Sequence, residues 1–233
     1  MNIFLIAGHG AGDPGATGTF RLKKYQEATE TRAVLAALVT ELNKYDCNVG
    51  WYNMEKNAYA DWKAGKLPTS VFKNYDFVLE IHFNAFRAED ENGKTKGVEC
   101  YTTTNVLAPS DKVASALCAE IATLGFTNRG AKRKNYSVIA TARSAGVPAA
   151  LLEVCFIDDA DDMKVYTKDK TAVARAICAA LVKQFDLKQV PRTSRDIVQQ
   201  AAGLSDGTMA YLARYRWGKE LIDKLAAAIT NKK

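Results

Sequence analysis

Three stretches of this chain are apolar almost end to end and too short to be ordinary helices. They are Asn2–Ala7, residues 76–83 (DFVLEIHF) and residues 147–157 (VPAALLEVCFI). Runs of this length without polar alternation read as strands covered on both faces. Between them lie segments with helical spacing. Residues 25–44 carry Val34, Leu35, Leu38 and Leu42 on one stripe, and residues 107–124 carry Val113, Leu117, Ile121 and Leu124. Residues 171–185 do the same with Val173, Ile177, Ala180, Leu181 and Phe185. Strands alternating with helices imply βαβ units. The expected class is therefore α/β: a mostly parallel twisted central sheet flanked by helices on both faces, plus a small C-terminal helical module. Asn48–Trp51 and residues 97–102 read as shorter strands, and residues 137–141 as another. Residues 56–73 carry turn and helix signals broken at Pro68.

At 233 residues the chain has room for one full domain and an appendage. The expected division is a core domain at 1–187, a linker at 188–194 (KQVPRTS) and a helical module at 195–233. No apolar stretch approaches the ~20 residues that span a bilayer. The first residues lack a basic leader and cleavage site, so they read as structure rather than as a signal peptide. The five cysteines form no CxxC pair, and they read as small apolar residues of a reducing cytoplasm. Net charge is +6, and nine basic against four acidic residues fall from Lys188 onward. A basic tail suggests a polyanionic partner, while the few aromatics beside its charges do not favour nucleic acid.

In a parallel sheet the ligand site lies outside the carboxyl ends of the strands. The chain has only two histidines, His9 and His82, and both fall at the end of an apolar run. Glu153 is the one charge inside the third run. A carboxylate there must be desolvated unless it meets a charge or a cleft, and a buried salt bridge is the alternative. Two imidazoles at one sheet edge are the usual beginning of a zinc site, which wants a third ligand. At 100° per residue, Glu27 lies about 20° from Val34 and Leu38, whereas Glu30 lies about 40° and 80° away. Glu27 is therefore the expected ligand and Glu30 a surface charge. Two histidines and one glutamate leave zinc an open position for water, whose pKa falls to about 7. Glu153 is then free to take that water's proton and pass it to a leaving amine.

These residues resemble a known family. GHGAGDPGA at His9, Glu27 in YQEATETRAVLAAL, IHFNA at His82 and PAALLEVCFID at Glu153 look like the zinc-dependent N-acetylmuramoyl-L-alanine amidases, the amidase_3 group. Gly97-Val98-Glu99, Asn128-Arg129-Gly130, and Asp158 with Asp161-Asp162 agree in order, and the resemblance covers residues 1–187. It implies one Zn2+ per chain held by His9, Glu27 and His82, with Glu153 as the catalytic acid/base. The reaction would be hydrolysis of the bond between N-acetylmuramic acid and L-alanine in peptidoglycan. A compact form without a leader resembles a phage or prophage endolysin, made in the host cytoplasm and released to the wall through a lesion made by another protein. The chain departs from the family where many members carry Thr-Arg-x-x-Asp after the second strand. Here it reads YNMEKNAYADW, so the groove in that region is not carried over. Asn84, residues 86–97 and the basic stretch with Arg129, Lys132 and Arg133 are expected to wall the substrate groove, with stem-peptide carboxylates as their targets. Two other readings stay open: a zinc peptidase cutting within stem peptides, and a non-catalytic wall-binding protein on the same fold.

The tail carries three helical patterns, 195–202, 206–217 and 219–229. Ser194 and Ser205 are the expected N-caps, Gly203 and Gly218 the expected C-caps. Tyr211, Arg214, Tyr215, Arg216 and Trp217 form an aromatic-basic cluster. It reads either as a binding site for anionic cell-wall polymers or as the core of a packing or homodimer appendage.

Overall fold

The computed structural model describes residues 1–86, 95–191 and 193–231. They fall into two compact units, Met1–Lys188 and Gln189–Lys233. The first holds β1 (Asn2–Ala7), β2 (Thr17–Phe20), β3 (Lys23–Gln26), α1 (Glu27–Leu42), β4 (Asn48–Trp51) and α2 (Ala58–Lys63). A 3-10 turn at Thr69–Val71 leads to β5 (Phe77–Asn84) and β6 (Val98–Thr102). The unit ends with α3 (Ser110–Ala122), β7 (Asn128–Arg133), α4 (Ser137–Ser144), β8 (Ala149–Phe156), α5 (Ala160–Lys168) and α6 (Lys170–Phe185).

Six strands form one sheet in the order β4-β1-β5-β8-β6-β7. Every neighbouring pair is parallel except β6 with β8. Alternation along β5 decides what each face carries. Phe77, Leu79, Ile81 and Phe83 join the larger core under α1, α3 and α6. On the other face Val78 packs with Phe4, Ile6, Ala149 and Leu151 against Phe72 and the α4 residues Val138, Ile139 and Ala142. This second core stops halfway along the strands. Beyond it the same face carries Glu80, His82 and Asn84 on β5. The register sets His82 beside Glu153 on β8, and Glu153 beside Glu99 on β6. The apolar half holds the strands, and the polar half at their carboxyl ends is left for chemistry.

Several expectations need correction. The β2–β3 hairpin, which the sequence does not announce, precedes α1; its corner residues Arg21 and Leu22 both have positive φ (48° and 64°) without a glycine or asparagine at the turn. Residues 137–141 form a helix, not a strand. Val138, Ile139 and Ala142 bury on one helical face, while Thr141 and Ser144 donate to the carbonyls of Ser137 and Ala140. The basic stretch begins as β7, an edge strand whose charges suit an exposed edge. Glu30 is not a surface charge: it is 4 % exposed. α5 and α6 close over it, and it accepts from the Tyr166 hydroxyl (2.7 Å) and Lys170 Nζ (2.6 Å). Among the described residues no helix is long and apolar enough to cross a membrane. Four of the five cysteines are buried and all five are free.

The second unit holds α7 (Ser194–Ala202), α8 (Asp206–Ala213) and α9 (Gly218–Thr230) around Val198, Met209, Ile222 and Ala226. Thr193, rather than Ser194, caps α7, exchanging bonds with Asp196. Ser205 caps α8 and Gly203 ends α7 in the left-handed conformation, whereas Gly218 opens α9 instead of ending α8. Tyr211, Tyr215 and Trp217 are exposed, so they are not the core of the bundle. The two tyrosine hydroxyls meet at 2.9 Å and Arg216 lies over the Trp217 ring.

Phe72 is fully buried and meets Phe4 edge-on, so it anchors the smaller core beneath the polar half-face. Phe72→Ala is expected to cost about 3–5 kcal/mol, read as a lowered urea midpoint. An unchanged midpoint would show that this core does not hold the strands.

Candidate metal centre

β1 ends at Gly8, where the backbone must let another side chain pass. A Cβ on Gly8 would lie 2.3 Å from the His82 ring, so only glycine fits. His9 follows in the left-handed region (φ 60°), a costly conformation for a residue with a side chain. It is held there by its surroundings. His9 Nδ1 meets Asp13 Oδ2 at 2.8 Å, and Gly10 and Asp13 exchange both backbone hydrogen bonds. Burial pushes the Asp13 carboxyl up, but His9 and the Gly15 amide outweigh it and hold it below its ordinary value. Gly15 (φ +65°) is required as well, because a Cβ there would strike Glu27 Oε2 and the His9 ring.

Glu27 opens α1 and is only 3 % exposed. Its Oε2 accepts from the Ala16 amide (2.8 Å) and lies 3.2 Å from His9 Nε2. Its Oε1 accepts from the Phe83 amide (2.9 Å) and lies 2.8 Å from His82 Nδ1. Burial alone would raise its pKa; the two histidines and the Ala16 amide reverse that, and the carboxyl stays below its ordinary range. Donor atoms of His9, Glu27 and His82 all lie within 4.8 Å of one another. The three expected ligands therefore converge, and the set could hold a metal ion.

The surroundings fit that use. The far nitrogen of each imidazole is held by a carboxylate: Asp13 on His9 Nδ1, and Glu80 Oε1 on His82 Nε2 at 3.2 Å. Such outer carboxylates fix which nitrogen of a metal-binding histidine faces the ion. Burial disfavours a charged His82, yet Glu27 and Glu80 together hold its pKa well above the ordinary value. Glu80 was not anticipated from the sequence. It sits two residues before His82 on the same strand face, inside an apolar run, which is the signal that singled out Glu153.

Glu153 stands beside His82 on β8, with Oε2 sealed from solvent and without a hydrogen-bond partner. Burial pushes its pKa to about 8, with Glu27, Glu99 and Glu80 adding repulsion and His82 opposing it. A carboxyl that titrates near neutrality is suited to take and return a proton. A cleft of about 530 Å³ is lined by His9, Glu27, His82, Asn84, Tyr136 and Glu153 among others. A cavity of about 620 Å³ near Phe126 and Lys168 holds no histidine.

The expected groove residues divide. Asn84 lines the cleft and donates to Glu99 Oε1 at 2.8 Å. Glu99 is buried and also receives Tyr101 (2.8 Å), Arg129 (2.6 Å) and Lys132, so opposed by burial its carboxyl is still held low. Arg133 pairs with Asp111. Arg129 and Lys132 stand behind Asn84, joined to it through Glu99, and neither they nor Arg133 line the cleft. Of the expected 86–97 wall, residues 87–94 lie outside the described residues.

One cation organises the loops. Arg32, on α1, donates Nε to the Met54 carbonyl (2.7 Å), Nη1 to Gly8 (3.1 Å) and Ala28 (2.9 Å), and Nη2 to His9 (2.8 Å) and Lys56 (2.9 Å). No carboxylate is needed; five carbonyls share one planar fork. An ammonium has three donors and no such fork. Arg32→Lys is expected to lose about 2–4 kcal/mol and to weaken metal binding, measured by thermal unfolding and by metal titration. Unaltered metal affinity would show that the His9 loop holds itself.

The profile of the family described as N-acetylmuramoyl-L-alanine amidase matches residues 3–183. The sporulation-specific N-acetylmuramoyl-L-alanine amidase of Bacillus subtilis (strain 168) is 32% identical over 209 residues, covering 87% of this chain and 75% of that protein. Among solved structures, an N-acetylmuramoyl-L-alanine amidase from Clostridium difficile 630 superposes with a TM-score of 0.66 at 20% identity, covering 79% of this chain and 96% of that one. The catalytic domain of CwlV from Bacillus (Paenibacillus) polymyxa var. colistinus gives 0.62 at 23% identity, over 80% and 99% of the two chains. These two structures share the fold. The family match spans the two apolar strands whose carboxyl ends present His9 and His82, the helix that begins at Glu27 and the strand that bears Glu153, and the chain belongs to the N-acetylmuramoyl-L-alanine amidase family.

Proposed function

We propose that this chain is a zinc-dependent hydrolase of the amide between N-acetylmuramic acid and L-alanine in peptidoglycan. The observation that carries the reading is the convergence of His9, Glu27 and His82 beside the unpartnered carboxyl oxygen of Glu153. His9 Nε2, Glu27 and His82 Nδ1 would hold the ion, with Asp13 and Glu80 fixing the imidazoles. Zinc, when bound, supplies Lewis acidity toward an amide carbonyl and toward water. The Glu153 carboxyl, which lines the cleft, takes the proton of the attacking water and delivers it to the departing L-alanine nitrogen, so the amine leaves neutral. Asn84 offers an amide to the substrate from the cleft wall. Arg129 and Lys132 behind it, and Arg133 on the same edge strand, each partly exposed, offer remaining N–H groups to stem-peptide carboxylates.

For the second unit we propose attachment to anionic wall polymers through Arg214, Tyr215, Arg216 and Trp217. Exposed rings beside guanidinium groups support this reading. The setting inferred from the sequence is lytic, of the phage endolysin type. A sporulation-specific relative offers a second setting for the same chemistry. Clearing of intact cells by added protein separates the two.

Three outcomes are expected. Digestion of purified peptidoglycan releases stem peptides with new N-terminal L-alanine by mass spectrometry; termini inside the stem would overturn the amidase reading in favour of a peptidase. Glu153→Gln keeps one zinc ion per chain and loses about 10²–10⁴-fold in kcat, while His82→Ala loses the zinc itself. Full turnover in Glu153→Gln would remove Glu153 from the mechanism. Trp217→Ala lowers co-sedimentation of the full chain with wall sacculi without altering zinc content; unchanged sedimentation, or a change in oligomeric state instead, would reassign that surface.

A further inference from the structure

The stretch that departs from the family pattern, YNMEKNAYADW, folds into α2 and its approach, and it places two aromatic rings beside the cleft. Tyr59 and Trp62 stand one helical turn apart on α2. Their rings stack with centroids 5.7 Å apart and planes 20° from parallel. Both are well exposed, at 50% and 38%. Two adjacent rings facing water have no packing role in the core, and such patches mark binding surfaces.

Their position is specific. Tyr59 lines the cleft that holds His9 and Glu27. Trp62 lines an adjoining depression of about 340 Å³ with Thr69, Asn135, Ser137, Thr141 and Ser144. Asn135 and Ser137 belong to both, so cleft and depression are continuous. The depression has an aromatic wall on α2 and a row of hydroxyls on α4, and no charged side chain lines it. α2 is tied to the metal cluster by short links. Asn57 caps α2 by accepting the Ala60 amide, and its Nδ2 donates to Asp13 Oδ2, the oxygen that meets His9 Nδ1. The Tyr52 hydroxyl donates to Asp61 Oδ2 at 2.5 Å and fixes the helix from its other side.

We propose that Tyr59 and Trp62 are a glycan platform, which binds the uncharged N-acetylated sugars of the peptidoglycan strand next to the muramic acid being cleaved. This rests on the amidase reading and deepens it. Pyranose rings present apolar C–H faces to aromatic rings and hydroxyls to Ser, Thr and Asn, which is the division of surface found here. A stem peptide carries carboxylates, and its chemistry matches the basic residues behind Asn84 rather than a depression without charge. The strand would run past α2 and α4 while the peptide lies over Asn84.

The test uses the full chain and two kinds of substrate. Trp62→Ala is expected to lower kcat/KM for muropeptides on long glycan strands, relative to a single-sugar muramoyl peptide, by roughly two- to tenfold. Trp62→Phe should restore most of that ratio. In parallel, a β-1,4-linked N-acetylglucosamine tetramer, which has no amide to stem peptide, should perturb the resonances of Tyr59 and Trp62 in the wild-type spectrum. Equal losses on both substrates, or an unchanged ratio, would overturn the platform. So would perturbation by free stem peptide in place of the sugar tetramer. Failure of the amidase reading looks different: wild-type protein would then release no N-terminal L-alanine from either substrate, while sugar binding at Trp62 would still be read directly.

Discussion

A carboxylate with almost no access to water sits where three segments of the chain meet. Glu27 accepts from a loop amide at Ala16 and a strand amide at Phe83, and it lies against one nitrogen of each histidine. Burying a charge is costly unless it is paired and hydrogen-bonded, so the loop after β1, the end of β5 and the first turn of α1 must be held together for Glu27 to be tolerated at all. The geometry of the cluster follows from that demand. Gly8 lets the His82 ring pass, Gly15 makes room for Glu27 and His9, and Arg32 gathers the carbonyls of loops that would otherwise end in nothing.

The sheet gives this arrangement its reach. One face of β5 and β8 is apolar up to Val78 and Leu151, then turns to Glu80, His82 and Glu153. Four glutamates, Glu27, Glu80, Glu99 and Glu153, gather there with different fates. Glu27 and Glu99 are surrounded by donors and stay below their ordinary values, while Glu153 lacks them and titrates near 8. On the proposed reading the same side chain would serve as ligand, wall support or proton carrier according to the donors around it.

Much of this was legible from residue order. His9 and His82 end apolar runs, Glu153 interrupts one, and helical parity separates Glu27 from Glu30. The same parity misplaced Glu30, because an angle around one helix says nothing of Tyr166 and Lys170 arriving from α5 and α6. The β2–β3 hairpin escaped notice since Arg21 and Leu22 are not turn formers. Arg32 escaped it because its partners are backbone carbonyls, whose positions exist only once the loops are folded. Glu80 is readable in the sequence, since it interrupts an apolar run and shares a strand face with His82. The aromatic pair on α2 was hidden in the segment where family resemblance gave no guidance.

The central claim is that His9, Glu27 and His82 form one zinc site. Anomalous diffraction at the zinc edge, from crystals of the full chain grown with one equivalent of the metal, tests it directly. A single strong peak bounded by His9 Nε2, the Glu27 carboxylate and His82 Nδ1 is the predicted result. A peak elsewhere in the molecule, or none at this cluster, would contradict it.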